Sequence, residues 1–346
     1  MIRSKKSVVG LDLGTSVVKA VEITLEGQEP VITGFSRVEL PPGGSLDEAV
    51  KQVFKEGKFR SKRIVTGVSG QDTVVRYLSM PRMSDSELKQ AIQFEADKLV
   101  ASDEDFIIDC LPLEQAIADG QPEPDTMKVL VAACESDRLN DQARMIQSAG
   151  LLPIAIDLDL FAISNAWEMC VLPETEGFDA SDNRATALVD VGAKATSINV
   201  MRRGASCFSR EIPIGGSNMT QAVARRLGVE GFEAEAIKRA SEDHQAEVRT
   251  AIGPVLEDLA SELMLSMDYV EHNEGVTVTE ILLSGGGVLA PGAAEYIEQS
   301  VARPTRLWNP LEGLRVDVNR LDVEELEAWA PSLVVAVGLA SRVRTS

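Results

Sequence analysis

The sequence predicts an α/β protein built as two duplicated lobes, with a small α/β subdomain inserted into the first. Three observations carry that prediction. The chain opens on residues 7–24, SVVGLDLGTSVVKAVEIT, two apolar arms joined by a turn holding Asp12, Gly14, Thr15 and Ser16. The pattern returns half a chain later at residues 185–202, ATALVDVGAKATSINVMR, with Asp190 and Gly192 in its turn. A third glycine turn, Gly285-Gly286-Gly287, follows a strand predicted at 279–283 and precedes a helix.

Each element has a local reason. β-Branched residues fill the opening arms (Val8, Val9, Val17, Val18, Val21, Ile23), which suits a pleated, half-buried surface. A strand at 31–40 ends at Pro41-Pro42-Gly43-Gly44, and Leu46, Ala49, Val50 and Val53 fall on one face of a helix at 46–56. Strands follow at 63–69 and 73–79. Pro81 starts a new unit, where Ser84-x-x-Glu87 is a capping box for a helix to about residue 100. Its apolar face is expected to carry Leu88, Ala91, Ile92, Phe94 and Leu99, and Pro122–Asp125 reads as an exposed loop. Strand 127–134, helix 136–149 and strand 152–157 form a βαβ-like unit, so residues 81–156 are expected as the insert. A helix at 157–171 and an acidic, proline-containing stretch at 173–183 close the first half.

The second half repeats the order of the first: strand, Asp-Gly turn, strand, Arg203-Gly204 turn, strand 205–213, helix 216–227. This is a diverged internal duplication. Residues 232–273 read as helical, with Ile252, Val255, Leu259, Leu263 and Met267 on one face; helices at 291–300, 321–329 and 331–342 follow. The expected units are a first-lobe core at 1–80, completed by 157–180 and 331–346, and the insert at 81–156. The second-lobe core takes 184–216 and 276–330, with a helical subdomain at 217–275.

A formal charge of −20, from 34 basic and 54 acidic residues, argues against a nucleic-acid binder, which carries a basic face. Cys110, Cys134, Cys170 and Cys207 are far apart in apolar contexts, which reads as reduced, buried thiols. His244 and His272 have no partner at ligand spacing. Asp12 interrupts the first apolar stretch too early for a signal peptide, and the run at 333–340 is too short to span a bilayer. The expectation is a cytoplasmic protein whose membrane contact comes through a partner.

The chemistry lies in the three turns. Gly14 lets backbone N–H groups approach a phosphate, and Asp12 at its strand end suits the waters of a Mg²⁺ ion. One such hairpin is usually only a hairpin. Two facing Asp-Gly hairpins and a glycine triplet, in this order on a duplicated frame, would clamp a polyphosphate and its metal.

On those residues the chain resembles the actin/Hsp70/sugar-kinase superfamily along nearly its whole length. Residues 10–19 look like its first phosphate loop, 188–199 like its second, 281–294 like its adenosine motif, and 157–167 with 331–342 like its connecting helices. Within it the chain is similar to the PilM family, the FtsA-like assembly proteins of type IV pili. The signs are Leu78-Ser79-Met80-Pro81-Arg82-Met83-Ser84, Phe94-Glu95-Ala96, Asp157-x-Asp159-x-Phe161-Ala162, Ile212-Pro213-Ile214-Gly215-Gly216 and Ser284-Gly-Gly-Gly-Val288. FtsA ends in an amphipathic membrane helix, whereas only a few polar residues follow residue 342 here, which favours PilM.

The resemblance implies an actin-like ATPase fold that binds ATP and Mg²⁺, while departures from its pattern at Lys194 and Asp159 point to weak or absent hydrolysis. It implies that Asp12 and Asp190 hold Mg²⁺ through water. Gly14, Thr15, Ser16 and Lys19 would contact the β- and γ-phosphates, faced by Gly192 and Thr196. Glu235 and Lys238 would reach ribose and adenine, and Gly285, Gly286 and Gly287 would border the nucleoside. Asp159 falls near a water-orienting position, so Asp159 and Asp190 are the catalytic candidates, although Asp159 equally suits helix N-capping. Lys194, where many relatives carry glycine, argues against efficient hydrolysis. The implied role is a scaffold at the inner membrane that docks the N-terminal cytoplasmic tail of a PilN-like membrane protein, with other pilus motor or platform proteins as further candidate partners. A small-molecule kinase or ATPase of the same superfamily, or an actin-like filament former, is the alternative.

Overall fold

The computed structural model describes residues 6–70, 73–99, 105–113, 125–170, 182–240 and 242–344. The first lobe opens with strands β1 (Ser7–Leu13), β2 (Val17–Glu26) and β3 (Glu29–Glu39), then helix α1 (Leu46–Gly57) and strand β4 (Arg63–Val68). Strand β5 (Thr73–Pro81), helix α2 (Asp85–Leu99), β6 (Phe106–Leu113) and β7 (Thr126–Glu135) come next. Helix α3 (Ser136–Ser148), strand β8 (Leu152–Leu158) and helix α4 (Asp159–Cys170) complete the first half. The second half runs β9 (Arg184–Val191), β10 (Thr196–Arg202), β11 (Ala205–Ile212), α5 (Gly216–Leu227), α6 (Gly231–Ala240) and α7 (Gln245–Glu274). Then come β12 (Thr277–Ser284), α8 (Ala293–Ser300), β13 (Thr305–Leu307), β14 (Arg315–Val316), α9 (Val323–Trp329) and α10 (Val334–Ala340).

Sheet order makes the duplication visible. The first sheet is β14-β3-β2-β1-β4-β8 and the second is β11-β10-β9-β12-β13. In each, three strands form an antiparallel meander, and the strand that opens it pairs in parallel with a later one, β1 with β4 and β9 with β12. Period-two burial follows: Val9 and Leu11 face the cluster shared with α1 and α3, while Val8 faces the opposite layer.

That opposite layer is the seam between the lobes. Helices α4 and α10 lie in it, with Ala162, Ile163, Ala166, Val334 and Leu339 packed against Val21, Ile23 and Ile32 of one sheet and Leu188, Met201 and Leu282 of the other. These are the two connecting helices expected from the sequence. The run at 333–340, too short by itself to span a bilayer, lies within Val323–Arg344, which by length and composition is long and apolar enough to do so; 67% of the most apolar stretch is buried in this fold.

The third sheet, β5-β7-β6, corrects the expected insert. β5 pairs with β7 from Thr73 onward, so the unit begins before Pro81. β8 pairs in parallel with β4 in the first-lobe sheet, and Ile146 of α3 is buried in the first-lobe core. By sheet membership the insert therefore spans 73–135 rather than 81–156. Local pattern could not tell that α3 crosses from one sheet to another instead of returning to its own. Ser84 and Glu87 do form the capping contact, with the Ser84 N–H donating to Glu87 Oε2 at 2.8 Å. Phe94, expected on the apolar face, is 84% exposed, whereas Leu88 and Ile92 are buried. Leu99's side chain and the loop at 122–124 lie outside the described residues, as does most of the stretch at 173–183.

The insert is tied to the second lobe through hydroxyls. Tyr77 Oη lies 2.6 Å from both Ser206 Oγ and Ser209 Oγ on β11, and Lys128 Nζ pairs with Glu274 Oε2 at 2.5 Å. Tyr77→Phe keeps the ring and removes both contacts, leaving Ser206 still bonded to Asn199 Oδ1 at 2.6 Å. A loss of about 1–2 kcal/mol in denaturant unfolding is expected.

Candidate functional site

Register places the charged groups of the site. In the first hairpin Asp12 stands directly opposite Lys19, and Lys19 Nζ meets Asp12 Oδ2 at 2.7 Å. Lys19 also donates to the Ser332 carbonyl at 2.9 Å, in the segment that leads into α10. In the second hairpin the position opposite Asp190 is Ser197, so only one lobe carries the lysine. Parallel pairing of β12 with β9 sets Ser284 beside Asp190, and Ser284 Oγ donates to Asp190 Oδ1 at 2.8 Å. Asp159 opens α4, and its Oδ1 is buried without a hydrogen-bond partner.

These groups feel one another. Burial pushes the Asp159 carboxyl up to about 7, reinforced by the charges of Asp12 and Asp190. Burial also raises Asp190, with Lys19 opposing. Burial works against the Lys19 ammonium, yet Asp12, Asp190 and Asp159 together hold it above the ordinary lysine value. One largely enclosed cation, paired directly with Asp12, thus sits in the field of three carboxylates from three elements, and negative charge is left over.

The glycine turns gather round this cluster. Gly14, Thr15 and Ser16 form the bend between β1 and β2, with Thr15 exposed. Gly192 closes the second bend through its N–H to the Ala195 carbonyl at 2.9 Å, and its own carbonyl accepts from Gly216 N–H at 2.9 Å. Gly285 has φ +94°, and a Cβ there would fall 2.3 Å from the Val191 carbonyl oxygen, so only glycine fits this turn. Its N–H donates to the Pro331 carbonyl at 2.8 Å, one residue from the carbonyl that holds Lys19. The first and third turns are therefore both tied to the segment joining α9 to α10.

Two expected contacts are spent internally. Thr196 is fully buried, and its hydroxyl donates to the Ile214 carbonyl at 2.7 Å. That bond holds β10 to the entrance of α5. Lys238 Nζ donates to the Gly216 carbonyl at 3.0 Å and Thr220 Oγ1 at 2.8 Å, and pairs with Glu235 Oε2 at 2.7 Å. Burial lowers Lys238, with Glu235 opposing, while Lys238 and Thr220 outweigh burial to keep Glu235 low. Gly286 and Gly287 lie in the tight turn after Gly285, with Gly287 buried beside Val191. Lys194 is exposed. Sequence reasoning missed Ser284 and Ser332; the only signal for Ser284 was its place directly before the glycine triplet.

The family model for type IV pilus assembly protein PilM matches residues 10–344. The chain belongs to the PilM family. A solved structure described as a PilM-PilN type IV pilus biogenesis complex is similar, with a TM-score of 0.84 and 26% identity, covering 97% of this chain and 98% of the other. The cell division protein FtsA of Bacillus subtilis (strain 168) is 25% identical over 355 residues, 87% of this chain and 78% of FtsA. The ethanolamine utilization protein EutJ from Carboxydothermus hydrogenoformans shares the fold, with a TM-score of 0.55 at 16% identity over 97% of this chain and 89% of EutJ. The actin-like ATPase fold expected from the sequence is the fold of this PilM-family chain.

Proposed function

We propose that this chain is a nucleotide-binding scaffold of a type IV pilus assembly complex, peripheral to the inner membrane, that docks the N-terminal cytoplasmic tail of a PilN-like membrane protein. Family membership supports the pilus assignment, and the likeness to a PilM-PilN complex supports the tail as partner. The observation that carries the nucleotide reading is the cluster of Asp12, Asp159, Asp190 and Lys19 where the three glycine turns converge.

Mg-ATP fits this cluster. Among the described residues no three His, Cys, Asp or Glu side chains are close enough to chelate a metal together. Mg²⁺ retains several waters and takes phosphate oxygens readily, so Asp12 and Asp190 would hold it through water. The surplus negative charge and the unpartnered Asp159 Oδ1 suit such a cation. The ion would neutralise phosphate charge. Gly14, Thr15, Ser16 and Lys19 would receive the phosphates from one lobe and Gly192 from the other. Glu235, Lys238 and Gly285 to Gly287 would border the nucleoside. Binding across both lobes favours their closed arrangement, a population shift that a docked tail can sense.

Titration calorimetry with Mg-ATP tests the site. Asp190→Ala is expected to weaken binding at least about tenfold, while wild type turns ATP over slowly. Equal affinities in the two proteins would remove Asp190 from the site. The tail peptide is expected to co-purify with the wild-type chain; failure to bind it with and without Mg-ATP would overturn the docking role.

A further inference from the structure

Arg239 follows Lys238 on α6 and reaches out of the second lobe. Its Nη1 donates to Glu39 Oε1 of the first lobe at 2.8 Å, and its Nε donates to Glu235 Oε1 at 2.7 Å. Glu39 ends β3 and pairs with Val17, the first residue of β2. The next residue, Leu40, donates its N–H to the Ser16 carbonyl at 2.8 Å, so Glu39 is a direct neighbour of the first glycine turn. At the other end, Lys238 is bonded to Gly216, whose Cβ position lies 3.6 Å from the Gly192 carbonyl oxygen and 3.7 Å from Gly287 Cα. The Arg239–Glu39 bridge therefore runs from the first turn to the wall made by the second and third, across the space between the two lobes that the nucleotide reading above takes as its cleft.

Trp329 of α9 backs the bridge. The Arg37 guanidinium lies 3.8 Å from its ring centroid and that of Arg239 5.8 Å. Arg37 stands 3.7 Å from the carboxylates of Glu39 and Glu325, and its Nε is buried with no hydrogen-bond partner. Two guanidinium groups from opposite lobes thus share one indole and one carboxylate, an arrangement that lobe opening must pull apart.

We propose that Arg239, Glu39, Arg37 and Trp329 form a gate over the cleft that sets how fast nucleotide enters and leaves. The gate rests on the nucleotide reading above. Its contacts are made between protein groups of the two lobes and use no nucleotide atom, so they resist lobe opening to the same degree with and without nucleotide. Removing them speeds entry and release together and leaves the equilibrium affinity nearly unchanged. Glu39 is 64% exposed, so solvent screens the bridge, and its effect is about three- to tenfold in rate.

Stopped-flow measurement of a fluorescent N-methylanthraniloyl-ATP with Mg²⁺ tests the gate on wild type, Arg239→Ala, Glu39→Ala and the double variant. The expected result is faster association and faster release in each single variant, by about three- to tenfold, with the double variant no faster than either single. Release at the wild-type rate in both single variants overturns the gate. Outright loss of binding in Arg239→Ala also overturns it, because that residue is then a ligand contact. If the wild-type chain does not bind the probe, the nucleotide reading itself fails and takes the gate with it. Wild-type binding with unchanged rates in the variants removes the gate alone.

Discussion

Asp159→Asn is expected to raise the melting temperature of the ligand-free protein at pH 8 by several degrees and to leave it nearly unchanged at pH 4. The folded carboxyl titrates at about 7 against an ordinary value of 3.8, because burial and the charges of Asp12 and Asp190 oppose its ionisation. Well below pH 4 the group is protonated in both states and imposes no penalty, and at pH 4 the penalty has only begun to develop. Between pH 4 and 7 the unfolded chain has released the proton and the folded chain still holds it, so stability falls as pH rises. Above pH 7 the loss is complete. The span corresponds to at most about 4 kcal/mol, by the free energy of one unit of pKa. Asparagine cannot ionise, so the variant escapes this slope, and it also relieves Asp12 and Asp190 of a like charge. Melting curves of both proteins from pH 4 to 9 check the result. A difference that does not grow with pH would show that Asp159 is not held protonated by its surroundings.

The frame of this cluster was legible in the sequence because its parts are local. Asp12 faces Lys19 across one hairpin, and a run of β-branched residues with a glycine turn is enough to predict that hairpin. The repeat of strand, turn and strand around Asp190 was equally local. What brings the two hairpins together is not. Ser284 and Ser332 reach the site through a parallel strand pair and a carbonyl far along the chain, and neither leaves a mark in spacing. Lys19, expected to face a phosphate, also pairs with Asp12 and donates to the Ser332 carbonyl, and the second of these partners has no local signal. Thr196 carried the right residue type for a phosphate contact, but the Ile214 carbonyl claims its hydroxyl.

The same limit explains the misplaced insert. β5 and β8 were both predicted as strands, yet their sheets depend on non-local partners. β6 escaped prediction because it is an edge strand with Pro112 near its end, where proline is tolerated without a ladder bond to lose. Phe94 departs from the expected apolar face for a local reason: it lies two residues past Ile92, about 200° round the helix, so it faces away from the stripe made by Leu88 and Ile92.

Gly338→Ala is expected to be among the most damaging single-methyl changes in the chain. Gly338 lies on α10, and a Cβ built there would fall 1.7 Å from the Ala162 carbonyl oxygen and 2.5 Å from its carbon. Both contacts are backbone, so no side chain can rotate aside. Neither helix can retreat freely, because α4 and α10 fill the layer between the two sheets and touch both. Relief requires moving one connecting helix, which reopens close-packed contacts along the lobe seam. A cost of at least about 3 kcal/mol follows, a large share of the ~5–15 kcal/mol by which folded domains are stable. Gly231→Ala provides the contrast. Gly231 is an exposed first residue of α6 with nothing within 4 Å of its Cβ position, so there the methyl only restricts the unfolded chain. That change should stabilise by about 0.4–1 kcal/mol. Thermal melts of both variants decide the matter: opposite signs support the close crossing of α4 and α10, and a tolerated Gly338→Ala would mean that the connecting helices can slide, as a hinge between closing lobes would require.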